Sequence, residues 1–438
     1  MASTKTDLKI IEDLQAYMDA CTAVDQFSGA VLLQKNGRLL LRYAAGMADF
    51  ELMVGNTPQT KFRLGSITKP ITAMCIYILQ EEQKISPDDP LNRYISDLPE
   101  ALNQMRIHHL LAHKSGLANF TEFPDYAKTQ RLPSTCWETI NRFKNEALQF
   151  KIGEQCRYNN SAYIILGALI ELLSGMTYAD FVKSRIFEPL GMNDSGYDSH
   201  EILLPKRARG YIRNRQGMEP GPFLDMSIPF SAGALYSTID DLWLFEQALR
   251  EERPPFPRAV LQAMKAPLTG ETYSCGWHQD TSDGRFKIGH SGGIDGFCTI
   301  FMRYPYDDLS IVVLSNVVSW AYSPERICQD LAAVVFGEAY QTPRNRTAIK
   351  LDSEKALEFI GVYAFEDQSN SSIIIYREGE RWMAKFSPTE DYEIFPESER
   401  EFFINDFDAQ ISFPAVTQDQ LTHLVLTHEG QSSRANKL

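Results

Sequence analysis

Ser66 and Lys69 place a hydroxyl and an amine one helical turn apart, an arrangement suited to a nucleophile and its base. Because positions i and i+3 share a helix face, the Lys69 amine can reach the Ser66 hydroxyl. Pro70 is compatible, since proline is tolerated in a first turn. Backbone N–H groups at this helix end lack intrahelical partners and can stabilise an oxyanion. The helix itself is predicted from an apolar stripe at helical spacing: Ile71, Met74, Cys75, Ile78 and Leu79.

A Ser-x-x-Lys pattern alone is more typical of a capping serine and a lysine that reaches solvent. Two further motifs favour catalysis. Residues 158–160 (Tyr-Asn-Asn) stand directly before an apolar helix predicted over residues 161–173. Residues 289–293 (Gly-His-Ser-Gly-Gly) lie between two predicted strands, where glycines allow a backbone to approach a substrate closely. A phenol at the start of a buried helix can share a proton with a serine and a lysine.

In this order, Ser-x-x-Lys, Tyr-x-Asn and His-x-Gly resemble the penicillin-recognising serine hydrolases. The similarity is greatest to the branch that contains class C β-lactamases, DD-peptidases, D-aminopeptidases and β-lactamase-like esterases. Residues 110–117 and 233–242 also look like sequences of this family. The resemblance covers roughly residues 8 to 340.

Spacing and resemblance together imply a covalent mechanism. Ser66 attacks a carbonyl carbon, and its proton passes to a Lys69–Tyr158 pair. The backbone N–H groups of Ser66 and Gly293 hold the oxyanion. An acyl-enzyme follows, and water releases it. No metal or organic cofactor is expected.

The resemblance assigns three further residues to the site. Asn160 orients Lys69 and binds the substrate amide. Gly292 lies in the substrate-binding strand. His290 borders the acyl site and donates a hydrogen bond to the substrate or to Tyr158.

His290 stands where relatives carry a lysine that reads a substrate carboxylate. A histidine with a pKa of ~6.5 is mostly neutral at pH 7, so this recognition weakens. We therefore expect a serine hydrolase that acts through an acyl-enzyme on an ester, an amide or a D-amino-acid peptide. The alternatives are an acyltransferase or transpeptidase, a class C-like β-lactamase or DD-carboxypeptidase, and a non-catalytic binding protein.

Residues 289–293 also fit Gly-x-Ser-x-Gly, the nucleophile elbow of α/β-hydrolases, with Ser291 as nucleophile. An elbow requires a helix immediately afterwards, whereas residues 297–302 are predicted to form a strand. Residues 289–293 also differ by only one residue from the Gly-Asp-Ser-Gly-Gly sequence of trypsin-like proteases. Such a protease would be all β, which the predicted helices around Ser66 and Tyr158 exclude.

Composition limits the classes of partner. The chain has 438 residues and a net charge of −14, which argues against nucleic acid and anionic membranes as partners. The expected partner is a small molecule or a peptide, with a homo-oligomer as a further expectation. Seven cysteines without a Cys-x-x-Cys pair indicate reduced thiols and a cytoplasmic protein, or a periplasmic or secreted one if a leader has been removed.

The predicted fold class is α/β of the α+β type. Strands near both ends of residues 1–345 with helices between them predict an antiparallel sheet flanked by helices, beside a helical subdomain. Residues 353–438 carry 16 acidic and 7 basic side chains, a net charge of −9, and strand-like runs at residues 372–376, 382–386, 401–404 and 424–426. We predict a separate antiparallel β-barrel there, which resembles the lipocalin-like domain attached to some serine hydrolases.

Overall fold

The structure is a computed structural model. It describes residues 5–214, 217–265, 272–281, 284–319, 323–351, 355–366, 371–387, 390–404, 409–414, 421–428 and 431–438. By their contacts the residues divide into two compact units. The first comprises residues 1–212, 219–318 and 327–341, and the second comprises residues 213–218, 319–326 and 342–438. The division into domains at 345 and 353 stays a prediction, which a truncation can test.

A seven-stranded antiparallel sheet forms the framework of the first unit. Its strands come from both ends of the unit, in the spatial order Tyr273–Ser274, Trp277–Asp280, Lys287–Ile294, Phe297–Tyr304, Leu309–Ser315, Gly29–Lys35 and Arg38–Ala45. The predicted antiparallel α+β fold is confirmed.

The first hairpin of this sheet has the turn that its sequence predicts. Lys35 pairs with Arg38, and both residues between them have a positive φ, +52° at Asn36 and +69° at Gly37. Asn-Gly is the preferred pair for such a turn, because its twist matches that of the flanking strands. The neighbouring strand Leu309–Ser315 is buried along its whole length, so the sheet centre lies in the core.

The chain between the two halves of the sheet contains helices and short helical turns, and further helical segments lie at residues 5–23, 324–336 and 355–359. The α-helices are Lys5–Ala23, Thr68–Glu81, Ile107–Leu111, Tyr126–Thr129, Cys136–Phe143, Asn160–Ser174, Tyr178–Val182, Glu188–Leu190, Phe230–Gly233, Ile239–Arg250, Arg258–Ala263 and Pro324–Phe336. The 3₁₀ turns are Gly65–Ile67, Leu91–Arg93, Glu100–Leu102, Phe120–Glu122 and Lys355–Phe359, and one π turn covers Lys183–Phe187.

Three small sheets complete the secondary structure outside the barrel. They consist of Phe62–Arg63 with Leu235–Ser237 and Gly196–Tyr197, of Met47–Asp49 with Val54–Gly55, and of Val317–Ser319 with Tyr211–Asn214 and Gly217–Pro220. No single helix in the described ranges is long and apolar enough to cross a bilayer. The helical segments Asn160–Ser174 and Tyr178–Leu190 reach that length and apolarity only when they are taken together, and the pair is bent.

The second unit contains a closed antiparallel barrel, as predicted. Its strands follow chain order: Gly361–Phe365, Ser372–Glu378, Arg381–Ser387, Glu390–Pro396, Glu401–Ile404, Ala409–Ser412, His423–His428 and Gln431–Lys437. An aromatic cluster fills its interior, where the ring of Phe359 contacts those of Trp382, Phe402 and Phe413. The barrel therefore has a hydrophobic core of its own.

Candidate active site

Ser66 lies in a 3₁₀ turn, Gly65–Ile67, that continues into the nucleophile helix, Thr68–Glu81. The turn is attached to the short strand Leu235–Ser237, because the amide of Leu64 donates to the carbonyl of Leu235 at 2.8 Å. The nucleophile helix is buried almost continuously from Thr68 to Leu79. The serine is thus fixed at the start of a core helix, as the apolar stripe predicts.

The structure brings Ser66, Lys69 and Tyr158 together. Nζ of Lys69 lies 3.0 Å from Oγ of Ser66, within hydrogen-bond distance. The hydroxyl oxygen of Tyr158 lies 2.5 Å from the same Oγ atom, and either hydroxyl can be the donor. The serine oxygen therefore has two proton-transfer partners within hydrogen-bond distance.

Lys69 is fully buried and pairs only with uncharged acceptors in the described part of the chain. Besides its contact with Ser66, its amine donates to Oδ1 of Asn160 and to the carbonyl of Ala232, both at 2.9 Å. Because burial removes water from the ammonium form, it holds the pKa of Lys69 well below its usual value of 10.5. In the neutral amine that results, the two N–H groups donate to Asn160 and Ala232, and the lone pair is left to accept the proton of Ser66.

Tyr158 is supported from behind by His113. Their ring centroids are 4.7 Å apart, and Nδ1 of His113 accepts from the amide of Asn159 at 3.1 Å. Solvent reaches 40% of Tyr158, yet desolvation by the surrounding protein raises the pKa of its phenol, so it is neutral at physiological pH. His113 is buried and acts structurally here, in agreement with the interpretation of it as a hydrogen-bonding residue.

Asn160 is the first residue of the core helix Asn160–Ser174. Asn159 caps this helix by accepting from the amide of Ala162 at 3.0 Å, which fixes where the helix begins. Nδ2 of Asn160 donates to Oγ1 of Thr121 at 3.1 Å, so the amide cannot rotate freely and Oδ1 points at Lys69.

His290 lies beside this cluster on the strand Lys287–Ile294, with its ring 6.0 Å from that of Tyr158 between centroids. Its nitrogens are engaged elsewhere: Nδ1 donates to the carbonyl of Ser291 at 2.5 Å, and Nε2 pairs with the hydroxyl of Tyr273 at 2.9 Å. The expected hydrogen bond from His290 to Tyr158 is therefore absent from this arrangement of the described residues. Burial, with the nearby Lys69, lowers the pKa of His290 to about 3, so the ring is neutral.

Two glycines bring the strand Lys287–Ile294 close to the turn that carries Ser66. A Cβ at Gly292 would lie 2.0 Å from the carbonyl oxygen of Leu64, so a side chain cannot be accommodated without a shift. Gly65, with φ +55°, sits where a Cβ would be 3.0 Å from the nitrogen of Gly293. Gly293 itself faces open space. The backbones of Ser66 and Gly293 thus line one cavity, as an oxyanion site built from both would require.

This cavity, the acyl pocket, has a volume of about 450 Å³. Ser66, Asn160 and Gly293 lie on its wall. The remaining wall is largely apolar and aromatic, and includes Phe120, Tyr126, Ile212, Leu224, Pro229, Ile294, Phe297 and Val318. Nowhere in the described ranges do three or more His, Cys, Asp or Glu side chains group to hold a metal.

Comparison with known proteins identifies the family. A family model described as Beta-lactamase matches residues 14–333. This chain belongs to the beta-lactamase family. The resemblance drawn from the three sequence motifs is therefore confirmed.

The similarity to individual proteins extends beyond residues 14–333. This beta-lactamase-family chain is 26% identical over 446 residues to penicillin-binding protein 4* of Bacillus subtilis (strain 168), which covers 96% of this chain and 97% of that protein. The octameric penicillin-binding protein homologue from Pyrococcus abyssi superposes with a TM-score of 0.69 at 23% identity and covers 97% of this chain and 100% of that one. The D-amino acid amidase from Ochrobactrum anthropi SV3, solved with L-phenylalanine amide, gives a TM-score of 0.64 at 26% identity, over 75% and 96% of the two chains.

The sequence motifs leave out several residues that build the site. Tyr273, which pairs with His290, belongs to a two-residue strand without a recognisable signal. The carbonyl of Ala232 accepts from Lys69, but any residue type supplies a carbonyl. Residues 233–242, which directly follow Ala232, resemble a sequence of this family, and this resemblance was the signal that could have pointed to the region.

Proposed function

We propose that this protein is a serine hydrolase that cleaves ester, amide or peptide carbonyls through an acyl-enzyme on Ser66. The observation that carries the proposal is the buried amine of Lys69, 3.0 Å from Oγ of Ser66 and paired only with uncharged acceptors among the described residues. A lysine whose function was structural would be expected to lie near a carboxylate or to extend to solvent.

The geometry supports the following steps. Oγ of Ser66 forms a bond to the carbonyl carbon while its proton moves to Nζ of Lys69, directly or through the hydroxyl of Tyr158. The N–H groups of Ser66 and Gly293 stabilise the oxyanion. The bond to the leaving group then breaks, and that group takes the proton. Water attacks the acyl-enzyme by the same route, which releases the acid and restores the serine.

The charges near the nucleophile favour donors without a carboxylate. His290 is neutral because its pKa is about 3, and Lys69 is neutral because burial lowers its pKa. Neither Lys nor Arg occurs among the described residues on the wall of the acyl pocket. A β-lactam or a terminal D-alanine carboxylate would thus meet no permanent cation, whereas neutral esters and amides need none. The amidase relative, solved with an amino acid amide, is consistent with this preference.

Active-site labelling tests the proposal. Intact-mass measurement after exposure to a fluorophosphonate and to activated esters should show one adduct, mapped to Ser66, in wild type and in Ser291→Ala. Ser66→Ala should lose both the adduct and turnover. An adduct on Ser291 would instead support the elbow interpretation and contradict the proposal. Product analysis with a competing amine separates hydrolysis from acyl transfer.

A further inference from the structure

The acyl pocket contains one carboxylate whose function in the fold is unexplained. Asp295 is the charged side chain among the described residues on the pocket wall. Its Oδ2 atom is buried and has no hydrogen-bond partner among the residues that the structure describes. A buried, unpaired carboxylate oxygen is destabilising, so such a group calls for a ligand or another explanation.

Arg63, the cation whose charge acts on Asp295, forms no ion pair with its carboxylate. Nε of Arg63 instead donates to Oδ2 of Asp198 at 2.7 Å. Asp198 also accepts from Arg207 at 2.8 Å and is fully buried. Arg63 is therefore committed to a separate ion-pair cluster and does not pair with Asp295.

The local backbone does not require an aspartate either. Asp295 and Gly296 form the two-residue turn between the paired residues Ile294 and Phe297. Gly296, with φ +80°, supplies the conformation that the turn needs. The turn is held tightly, since a Cβ on Gly210 would lie 2.9 Å from the Cα of Gly296. The backbone that carries this carboxylate is thus held at the pocket wall by a closely packed turn.

The walls near Asp295 suit an organic cation. Tyr126 lies on the same pocket, and burial together with the charge of Asp295 raises its pKa to about 12, so its phenol is neutral. Phe120 and Phe297 add aromatic surface, against which a cation and an apolar side chain can both pack. Asp295 follows Gly293 by two residues, so their Cα atoms are at most about 7 Å apart. One small acyl donor can thus reach both positions.

We propose that Asp295 binds the ammonium group of the acyl donor, so that the preferred substrates are amides, esters or peptides with a free amino group next to the scissile carbonyl. This rests on the proposed function and names its substrate class. The carboxylate pairs with the ammonium, while the apolar wall of the acyl pocket receives the side chain of the acyl residue. The same negative charge repels donors that carry a carboxylate.

Binding and turnover are measured on one matched pair of compounds. Phenylalanine amide, tested as both enantiomers, carries the amino group, and 3-phenylpropanamide lacks it. Ser66→Ala prevents turnover, so calorimetry on this variant reports binding alone. The para-nitroanilides of the same two acids report kcat/KM in the wild type. Asp295→Asn removes the charge at nearly constant volume, and Asp88→Asn is the matched control, since Asp88 is 87% exposed and lies outside the acyl pocket.

At least one enantiomer of the amino compound should bind about 10- to 100-fold more tightly than the des-amino compound, the range for hydrogen bonds to charged groups. Asp295→Asn should abolish this ratio, and Asp88→Asn should keep it. Equal binding of the two compounds by the Ser66→Ala protein would overturn the proposal without any variant at position 295. An Asp295→Asn protein that weakens both compounds equally would also overturn it.

The two proposals fail in different ways. The Ser66→Ala protein could prefer the amino compound while the wild type forms no acyl-enzyme with any donor. That result would support the Asp295 site and contradict the proposed hydrolase. A wild type that hydrolyses both anilides at the same rate retains the hydrolase and refutes the ammonium site.

Discussion

The hydroxyl of Tyr273 lies 2.9 Å from Nε2 of His290, so the histidine on the active-site strand is bound away from the nucleophile. This pairing explains how a histidine occupies a position that carries lysine in related enzymes without contributing charge. Burial lowers the pKa of His290 to about 3, and the ring stays neutral throughout the physiological range.

His290→Lys should therefore change the choice of acyl donor. A lysine would add a cation beside the acyl pocket, and the ratio of acylation rates for a carboxylate-bearing donor over a neutral ester should rise about 10-fold. Stopped-flow acylation between about pH 5 and about pH 9 measures this ratio. Because the pKa of His290 is below this range, titration of His290 should not change the ratio in the wild type. Tyr273→Phe is the matched control, since it removes the partner hydroxyl without adding charge. A ratio that His290→Lys leaves unchanged at every pH would show that position 290 does not contact the donor.

Lys69→Met should abolish acylation and alter how stability depends on pH. Burial lowers the pKa of Lys69 well below 10.5, so between the two values the unfolded wild type binds one proton more than the folded protein. Wild-type stability therefore rises with pH in that window and falls as pH decreases, by up to about 1.4 kcal/mol per unit. Methionine removes this term.

Urea unfolding at several pH values between about 7 and about 10 tests the Lys69 prediction. The free energy of unfolding of Lys69→Met relative to wild type should increase as pH falls. Lys183→Met is the control, because its side chain is 67% exposed and its pairing with Glu188 is solvated. A difference for Lys69→Met that does not depend on pH would mean that Lys69 is charged in the folded protein.

Gly292→Ala should destabilise the fold, whereas Gly293→Ala should not. The added Cβ at position 292 would lie 2.0 Å from the carbonyl oxygen of Leu64 and 2.3 Å from Oγ1 of Thr299, and a free-energy loss of about 1–3 kcal/mol is expected for such overpacking. At Gly293 no atom lies within 4 Å of the Cβ position. Thermal denaturation of the two variants side by side decides the point: equal midpoints would show that the close approach at Gly292 is not required.

A chain that ends after residue 345 should fold and keep a reactive Ser66. Every strand of the seven-stranded sheet precedes residue 316, and the barrel strands pack around their own core. We expect a near-UV circular dichroism spectrum typical of ordered aromatic side chains, together with full fluorophosphonate labelling. An insoluble or molten product would instead mean that residues 346–438 are required for folding.

Local spacing was enough to predict the first parts of the site. Ser66 and Lys69 are three residues apart on one helix, so their contact follows from helix geometry. The Asn36–Gly37 turn and the strand Leu309–Ser315 also agree with the sequence-based expectation, because both depend on neighbouring residues. In the barrel, the runs predicted near residues 372, 382, 401 and 424 are strands, while Gly361–Phe365, Glu390–Pro396, Ala409–Ser412 and Gln431–Lys437 were missed.

Contacts between distant segments were beyond the sequence. Tyr273 and His290 are 17 residues apart and belong to strands that are not neighbours in the sheet. Asp-Gly is a common pair in turns, but only the folded cavity shows that Oδ2 of Asp295 is buried and has no partner among the described residues. Three of the missed barrel strands, Glu390–Pro396, Ala409–Ser412 and Gln431–Lys437, carry mixed polar and apolar residues, whose strand conformation depends on pairing with neighbours.

The position of Gly29–Lys35 inside the sheet, one strand from its edge, has a consequence for biosynthesis. One of its two neighbours, Leu309–Ser315, is translated some 270 residues later, since Lys35 pairs with Leu309. At about 5 to 20 residues per second the ribosome needs roughly 15 to 60 seconds to supply it. During that time the nascent chain exposes an apolar strand with one unpaired edge. Gly293, which the proposed mechanism places in the oxyanion site, is also translated late, so by that mechanism the nascent chain cannot yet carry out the reaction.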